Sequence, residues 1–189
     1  MTARVAVCVL FAVASGCTVP ARAPSDVPGV RLVDASGAAL DARSLALRAP
    51  LTAFVFFSAH CHCLDAHDAR LRALADTYAG RGVQFVMVDS EARATRDSDA
   101  AEGRRRGYRF PIALDRGAAL ADALGAEYAT YTVVADDRGH VRYRGGIDSD
   151  KIGLHEDATF FLRDALDDLL AGRAPRVPEG KTLGCAIAK

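Results

Sequence analysis

The stretch Thr52 to Leu64, T-A-F-V-F-F-S-A-H-C-H-C-L, constrains this chain more than any other, because an apolar run stops abruptly at two cysteines interleaved with two histidines. Thr52 to Phe57 is β-branched and aromatic, the pattern of a strand buried on both faces. From there Leu64, His67, Leu71, Leu74, Ala75 and Tyr78 recur at helical spacing, Asp65 and Asp68 fall in the first turn, and Gly80 stops the helix. The spacing predicts a helix from Asp65 onward, with Cys61 and Cys63 at the turn just outside its N-terminus. Unpaired backbone N–H groups and the positive end of the helix dipole favour a thiolate there, so Cys61 is expected to be accessible and readily ionised. His60 and His62 would help that thiolate if protonated, and His67, one turn beyond Cys63 on the apolar face, is a further candidate for tuning it. Asp65 and Asp68 would oppose it. A Cys61–Cys63 disulfide would be strained: on a helix the two side chains point about 200° apart, and a bridge needs Cα atoms within roughly 7 Å.

The beginning of the chain reads as an export signal. Arg4 precedes an unbroken apolar run from Val5 to Ala14, too short to span a bilayer as a mature helix, and Ser15-Gly16-Cys17 follows. Small residues directly before Cys17 resemble the lipobox of bacterial lipoproteins, which implies a signal over residues 1–16 and lipid on Cys17. Cleavage after Ala14 or Ala23 without lipid is the competing reading. Residues 17–29 are proline-rich and fit a flexible tether. Of five cysteines, Cys8 leaves with the signal and Cys17 with the lipid, so Cys61, Cys63 and Cys185 remain. Three is an odd count. At most one bridge forms within the chain, and one sulfur stays free, modified or metal-bound. Lysine plus arginine equals aspartate plus glutamate at 24 each, so no global field draws the protein to nucleic acid. Arg104, Arg105 and Arg106 read as a solvated helix end.

Further along, Val30 to Val33, a turn at Asp34 to Gly37 and the segment to Leu45 suggest an opening hairpin. Val83 to Asp89 reads as a second buried strand, parallel to the first through a right-handed βαβ unit. A polar helix over Ala92 to Gly107, a short strand within Phe110 to Asp115 and a short helix over Ala118 to Leu124 follow. Tyr131 to Ala135 and His140 to Arg144 flank the D-x-x-G turn of a hairpin. The last helix is predicted over Glu156 to Ala171, and Lys181 to Lys189 as an irregular tail carrying Cys185. The order is that of a single α/β domain over residues 30–172, with a tail over 173–189.

That order, with a thiol after the first long strand and a D-x-x-G hairpin before the last helix, resembles the thioredoxin-like fold, a central mixed β-sheet flanked by helices. More narrowly it is similar to the redoxin branch, the alkyl hydroperoxide reductase/thiol-specific antioxidant group and its membrane-tethered relatives. Leu32 to Leu40, Phe56 to Cys61, Gly82 to Asp89, Phe110 to Asp115 and Val141 to Gly145 carry the likeness, and Gly184-Cys185 resembles the Gly-Cys tail of some exported members. The chain also departs from its relatives. Leu64 stands where thioredoxins have their second cysteine, Thr130 where they have a cis-proline, and Phe54 where peroxiredoxins have a proline.

The resemblance implies an exported enzyme of thiol redox chemistry in the cell envelope, free of cofactors. Cys61 would act as reactive thiol, with Cys63 or Cys185 as partner or disulfide. Its partners would be a protein or small-molecule disulfide or peroxide, an unidentified thiol reductant, and a membrane through the N-terminal lipid. Two alternatives stand beside it. The fold is shared with copper-delivery proteins, whose pattern implies Cys61, Cys63 and His155 as copper ligands. The third reading is a non-catalytic binding module.

Overall fold

A computed structural model describes residues 24–189; the predicted signal, Cys17 and most of the tether lie outside the described residues. The central strand is β3, Leu51–Phe57, buried along its whole length. The following helix α2, His62–Ala79, carries the chain back to β4, Val83–Asp89, which pairs with β3 in parallel from Leu51 opposite Val83 to Phe57 opposite Asp89. β5, Ile112–Leu114, continues the parallel run beside β4. β1, Arg31–Val33, and β2, Ala39–Asp41, complete that side antiparallel. On the other side β6, Thr132–Asp136, pairs antiparallel with β3, and β7, Val141–Gly145, pairs antiparallel with β6. The sheet therefore has the mixed order β2-β1-β5-β4-β3-β6-β7. It matches the expected thioredoxin-like architecture.

Alternation along the strands separates the core into two layers. Leu51, Ala53, Val55 and Phe57 face one side with Phe85 and Met87, under α2 and under α5, Phe161–Leu170. Phe54 and Phe56 face the other with Val86 and Val88, under α1, Ala42–Ala46, and α4, Ala119–Leu124. Each of these fully buried phenylalanines contributes about 1.5–3 kcal/mol of hydrophobic stabilisation. The layer under α2 extends to the turn after β3, where Cys61 and Cys63 are part of it. No described helix is long and apolar enough to cross a membrane.

Several boundaries differ from expectation, each for a local reason. The segment after β2 turns helical because the Asp41 carboxylate accepts the Ser44 N–H at 2.7 Å and caps α1. α5 begins at Phe161 rather than near Glu156. Bonds from the Ser149 N–H to the Thr159 carbonyl and from the Thr159 N–H to the Ser149 hydroxyl hold the preceding loop out of the helix. The arginine triplet closes α3, Arg96–Arg106, but its last member is not solvated. Arg106 is buried over the Phe57 ring, ion-paired to Asp65, Asp68 and Glu102, and donates to the Ala59 carbonyl at 3.2 Å.

A buried acid pair lies at the end of β4. Asp89 is pushed up to about 8, chiefly by burial and by the adjacent Asp99 carboxylate, against the Glu91 N–H. A carboxyl raised in the folded state adds stability that is complete below about pH 4 and is lost as pH climbs to the folded value. Asp99→Asn removes the like charge. Its melting temperature is expected to exceed the parent's above about pH 8 and to match it near pH 4, each proton the pair gives up between costing the parent about 1.4 kcal/mol per pH unit. Superimposable melting profiles of the two proteins across that range would refute the assignment.

Candidate active site

The turn after β3 is fixed before the helix begins. The Ser58 hydroxyl donates to Glu91 at 2.8 Å, the Cys61 N–H donates to the Ser58 carbonyl at 3.3 Å, and Arg106 holds the Ala59 carbonyl from below. Cys61 is extended, φ −86° and ψ 107°, at the N-cap position of α2, and its carbonyl accepts the Asp65 N–H. Helix α2 starts at His62, three residues earlier than the spacing predicts. Cys63 consequently lies inside the first turn rather than ahead of it.

The tail, expected to be irregular, is laid across this end of the sheet. It leaves β7 through bonds between Arg144 and both Pro178 and Gly180, and bridges Tyr128 through Ala186. The Ala129 N–H donates to the Cys185 carbonyl at 2.9 Å, the Ile187 N–H to the Glu127 carbonyl at 2.9 Å, and the Thr130 hydroxyl to the Leu183 carbonyl at 3.2 Å. Thr130 itself is at φ 79°, a left-handed conformation that costs a β-branched residue about 1–3 kcal/mol. Its N–H is pinned to the Phe56 carbonyl at 2.9 Å. Gly184 passes so close to Ala129 that an added Cβ would stand 1.8 Å from its carbonyl oxygen.

This path delivers Cys185 to the other two cysteines, and the three sulfur atoms all lie within 4.8 Å of one another as free thiols. Cys61 has no exposed surface and Cys63 retains 2%, whereas Cys185 is half-buried. The expected accessible Cys61 is thus corrected: the tail and the core enclose it.

The electrostatics are corrected with it. Burial first, then the neighbouring Cys185, push Cys61 up to about 12, against the amides of Leu64 and Cys185. Cys63 is raised by burial and by Cys185, with Lys151 pulling the other way. Burial also opposes ionisation of Cys185, but the Cys61 and Cys63 thiols and the amides of His62 and Cys63 more than offset it, and its pKa falls below the ordinary thiol value. The helix N-terminus does stabilise a thiolate, as its dipole requires, but the sulfur it stabilises arrives from the other end of the chain.

The histidines take other places. His67 is buried, its Nδ1 2.6 Å from the Cys63 carbonyl and its Nε2 2.9 Å from Asp148. Both ring nitrogens face acceptors, an arrangement that favours the imidazolium over either neutral tautomer. Burial alone would lower its pKa; Asp148 and the Cys63 carbonyl more than reverse that. His60 and His62 flank Cys61 at the rim and are exposed. His155 has its Nδ1 2.9 Å from Asp150, and it is Cys185 that joins Cys61 and Cys63 in the cluster. Sequence reasoning named all three sulfurs but missed the contacts that shape their surroundings: Arg106 on the Ala59 carbonyl, Asp148 on His67 and Gly184 against Ala129. For Arg106 the sequence signal is Asp65 and Asp68 on a single helix face, both of which pair with it.

Three thiols gathered where the central strand of this fold meets its helix define a thiol oxidoreductase of the thioredoxin-like class. The sequence model of the Redoxin family matches residues 7–157, and the chain belongs to that family. Among solved structures it is similar to a hypothetical protein of Sinorhizobium meliloti, with 26% identity and a TM-score of 0.77 over 87% of this chain and 92% of that one. An uncharacterised conserved protein of Geobacillus kaustophilus has 23% identity and a TM-score of 0.78 over 89% and 94%. A secreted disulfide oxidoreductase of Mycobacterium tuberculosis shares the fold at 17% identity, with a TM-score of 0.51 over 60% and 80%. No curated protein matches the sequence.

Proposed function

We propose that the chain is an exported thiol–disulfide oxidoreductase, held at the outside of a bacterial membrane by lipid on Cys17, with Cys185 and Cys61 as its working dithiol and Cys63 as the alternate partner. The observation that carries this reading is the convergence of the three sulfurs around the one thiol whose ionisation is favoured. The Cys185 thiolate attacks a substrate disulfide, and the departing sulfur leaves as a thiolate that takes up a proton. Cys61 then gives up its proton and attacks the Cys185 sulfur of the mixed disulfide, releasing the second substrate thiol. Two electrons and two protons have passed to the substrate, and a Cys61–Cys185 bridge remains. An external thiol reductant resets it.

The raised pKa of Cys61 sets the order of events. A thiol at about 12 is a poor first nucleophile at neutral pH, but it is strongly nucleophilic once its proton leaves. A thiol-dependent antioxidant uses the same pair, with a peroxide oxidising Cys185 to the sulfenic acid, an alcohol or water leaving, and Cys61 condensing with it to release water.

Thiol counting and peptide mass mapping of the oxidised and reduced protein test the proposal. The oxidised form should hold one bridge that includes Cys185, leave one free thiol, and return to three on reduction. Three free thiols under all oxidants would overturn it. The anchor is tested on the same full-length protein from membranes, whose N-terminal peptide should carry lipid in the parent and none in Cys17→Ser.

A further inference from the structure

Disulfide chemistry uses two sulfurs, yet three are gathered here, and each offers one ligand atom to a common point. Their mutual separations of no more than 4.8 Å can be compared with what a cation would need. In a planar three-coordinate site the sulfurs form a triangle whose edge is √3 times the metal–sulfur bond. For bonds of about 2.3 Å the edge is about 4 Å. Closing the triangle therefore asks for sulfur movements of less than about an ångström, within the range of a small χ1 adjustment.

The donor set selects the ion. Thiolate sulfur favours soft metals, and hard cations such as magnesium or calcium require oxygen. Among the described residues no histidine, aspartate or glutamate joins the three sulfurs, so the fourth ligand of a structural zinc site is missing. A monovalent d10 cation accepts three sulfurs without a fourth. Charge also fits: three thiolates around one positive ion leave a doubly negative cluster, which faces the amides of His62 and Cys63 at the start of α2 and has Lys151 beside Cys63. Burial of Cys61 and Cys63 keeps water and oxidants from two of the three bonds.

We propose that Cys61, Cys63 and Cys185 form a trigonal three-thiolate site for a cuprous ion, completed by the C-terminal tail. His155 has no part in it. The ion replaces the thiol protons on binding, which are released to solvent, and no electron is transferred. The site does not depend on the disulfide chemistry above: failure to form a bridge would remove that function and leave this site intact, and the reverse also holds.

The test uses the reduced full chain without oxygen, titrated with Cu(I) held by the chromogenic chelator bicinchoninate. One copper per chain should be withdrawn from the chelator, and X-ray absorption of the loaded protein should show three sulfur scatterers in a single shell. Cys185→Ser should weaken binding by at least about a hundredfold, more than loss of an outer-shell partner does. His155→Ala should bind like the parent. A shell of two sulfurs, a nitrogen or oxygen neighbour, no copper withdrawn, or full affinity in Cys185→Ser would each overturn the proposal. Because the absorption measurement is made on the unaltered protein, misfolding of a variant cannot decide the outcome.

Discussion

Asp148→Asn is expected to lower the stability of the protein by about 3–5 kcal/mol, the usual cost of removing one partner from a buried ion pair. The Asp148 side chain is fully buried and accepts from His67 at 2.9 Å, from Arg70 at 2.7 Å and from the Asp150 N–H at 2.9 Å. Burial raises its pKa, and those three donors more than reverse the effect. An asparagine of the same shape keeps only one of the two acceptor oxygens, either the one shared by His67 and the Asp150 N–H or the one facing Arg70, and turns N–H at N–H toward the other side, while the His67 imidazolium loses its counter-charge. For a chain of this length the loss corresponds to a fall of about 6–20 °C in melting temperature.

The pH profile separates a lost charge from lost packing. His67 has a raised pKa in the folded state, so its contribution is complete below about pH 6.5 and is lost as pH rises through the folded value. Asp148→Asn should therefore cost most on the acid side of that interval and progressively less above it, as read from thermal melts. A uniform cost at every pH would mean that His67 is neutral. The Asp89–Asp99 pair gives the parent a slope of the same sign, so the two single variants are needed to tell the sources apart.

The parts of this fold legible in the sequence are those whose signals are local. β3 and β4 follow from runs that are apolar but for Thr52 in the first and Gln84 and Asp89 in the second, because a strand covered on both faces has few polar positions, and α2 follows from its apolar stripe and Gly80. Its first turn was hidden. Cys61 takes the N-cap role that a serine or aspartate would announce, and makes no side-chain cap bond. Arg106 lies in a triplet of identical residues, and only the positions of Asp65, Asp68 and Phe57 decide that this one turns inward. The path of the tail was the least legible of all. It depends on pairing between residues 127–130 and 183–187, more than fifty positions apart, and no short-range pattern encodes such a match. Its trace in the sequence is glycine. Gly145, Gly146, Gly180 and Gly184 all sit where an added Cβ would strike backbone or a buried ring. The same missing information places the expected thiolate on Cys61: the helix dipole is legible in the sequence, and the tail thiol that reaches it is not.

Gly184→Ala turns that reading into the second large effect. The glycine has no left-handed φ to defend, so the only obstacle to a side chain is contact: the new Cβ would lie 1.8 Å from the Ala129 oxygen and 3.0 Å from the Thr130 hydroxyl. Both belong to a backbone pinned to β3, through the Thr130 N–H and the Phe56 carbonyl. The tail must therefore lift, breaking its bonds to Glu127, Ala129 and Thr130. At about 1 kcal/mol each, these hold the cover closed by about two orders of magnitude. Cys61 should consequently react with iodoacetamide about a hundredfold faster in Gly184→Ala than in the parent, as followed by mass spectrometry of its tryptic peptide under native conditions. Cys185→Ser serves as the counterpart, since it removes the tail thiol while leaving the backbone cover in place, and there Cys61 should stay protected. Equal alkylation rates in Gly184→Ala and the parent would mean that the tail does not shield the site. Fast alkylation in Cys185→Ser would mean that the thiol contact, and not the strand-like pairing, keeps it closed. The distinction decides how a substrate enters: either the tail must open to admit it, or the substrate meets Cys185 where it lies half-exposed at the rim and leaves Cys61 covered throughout.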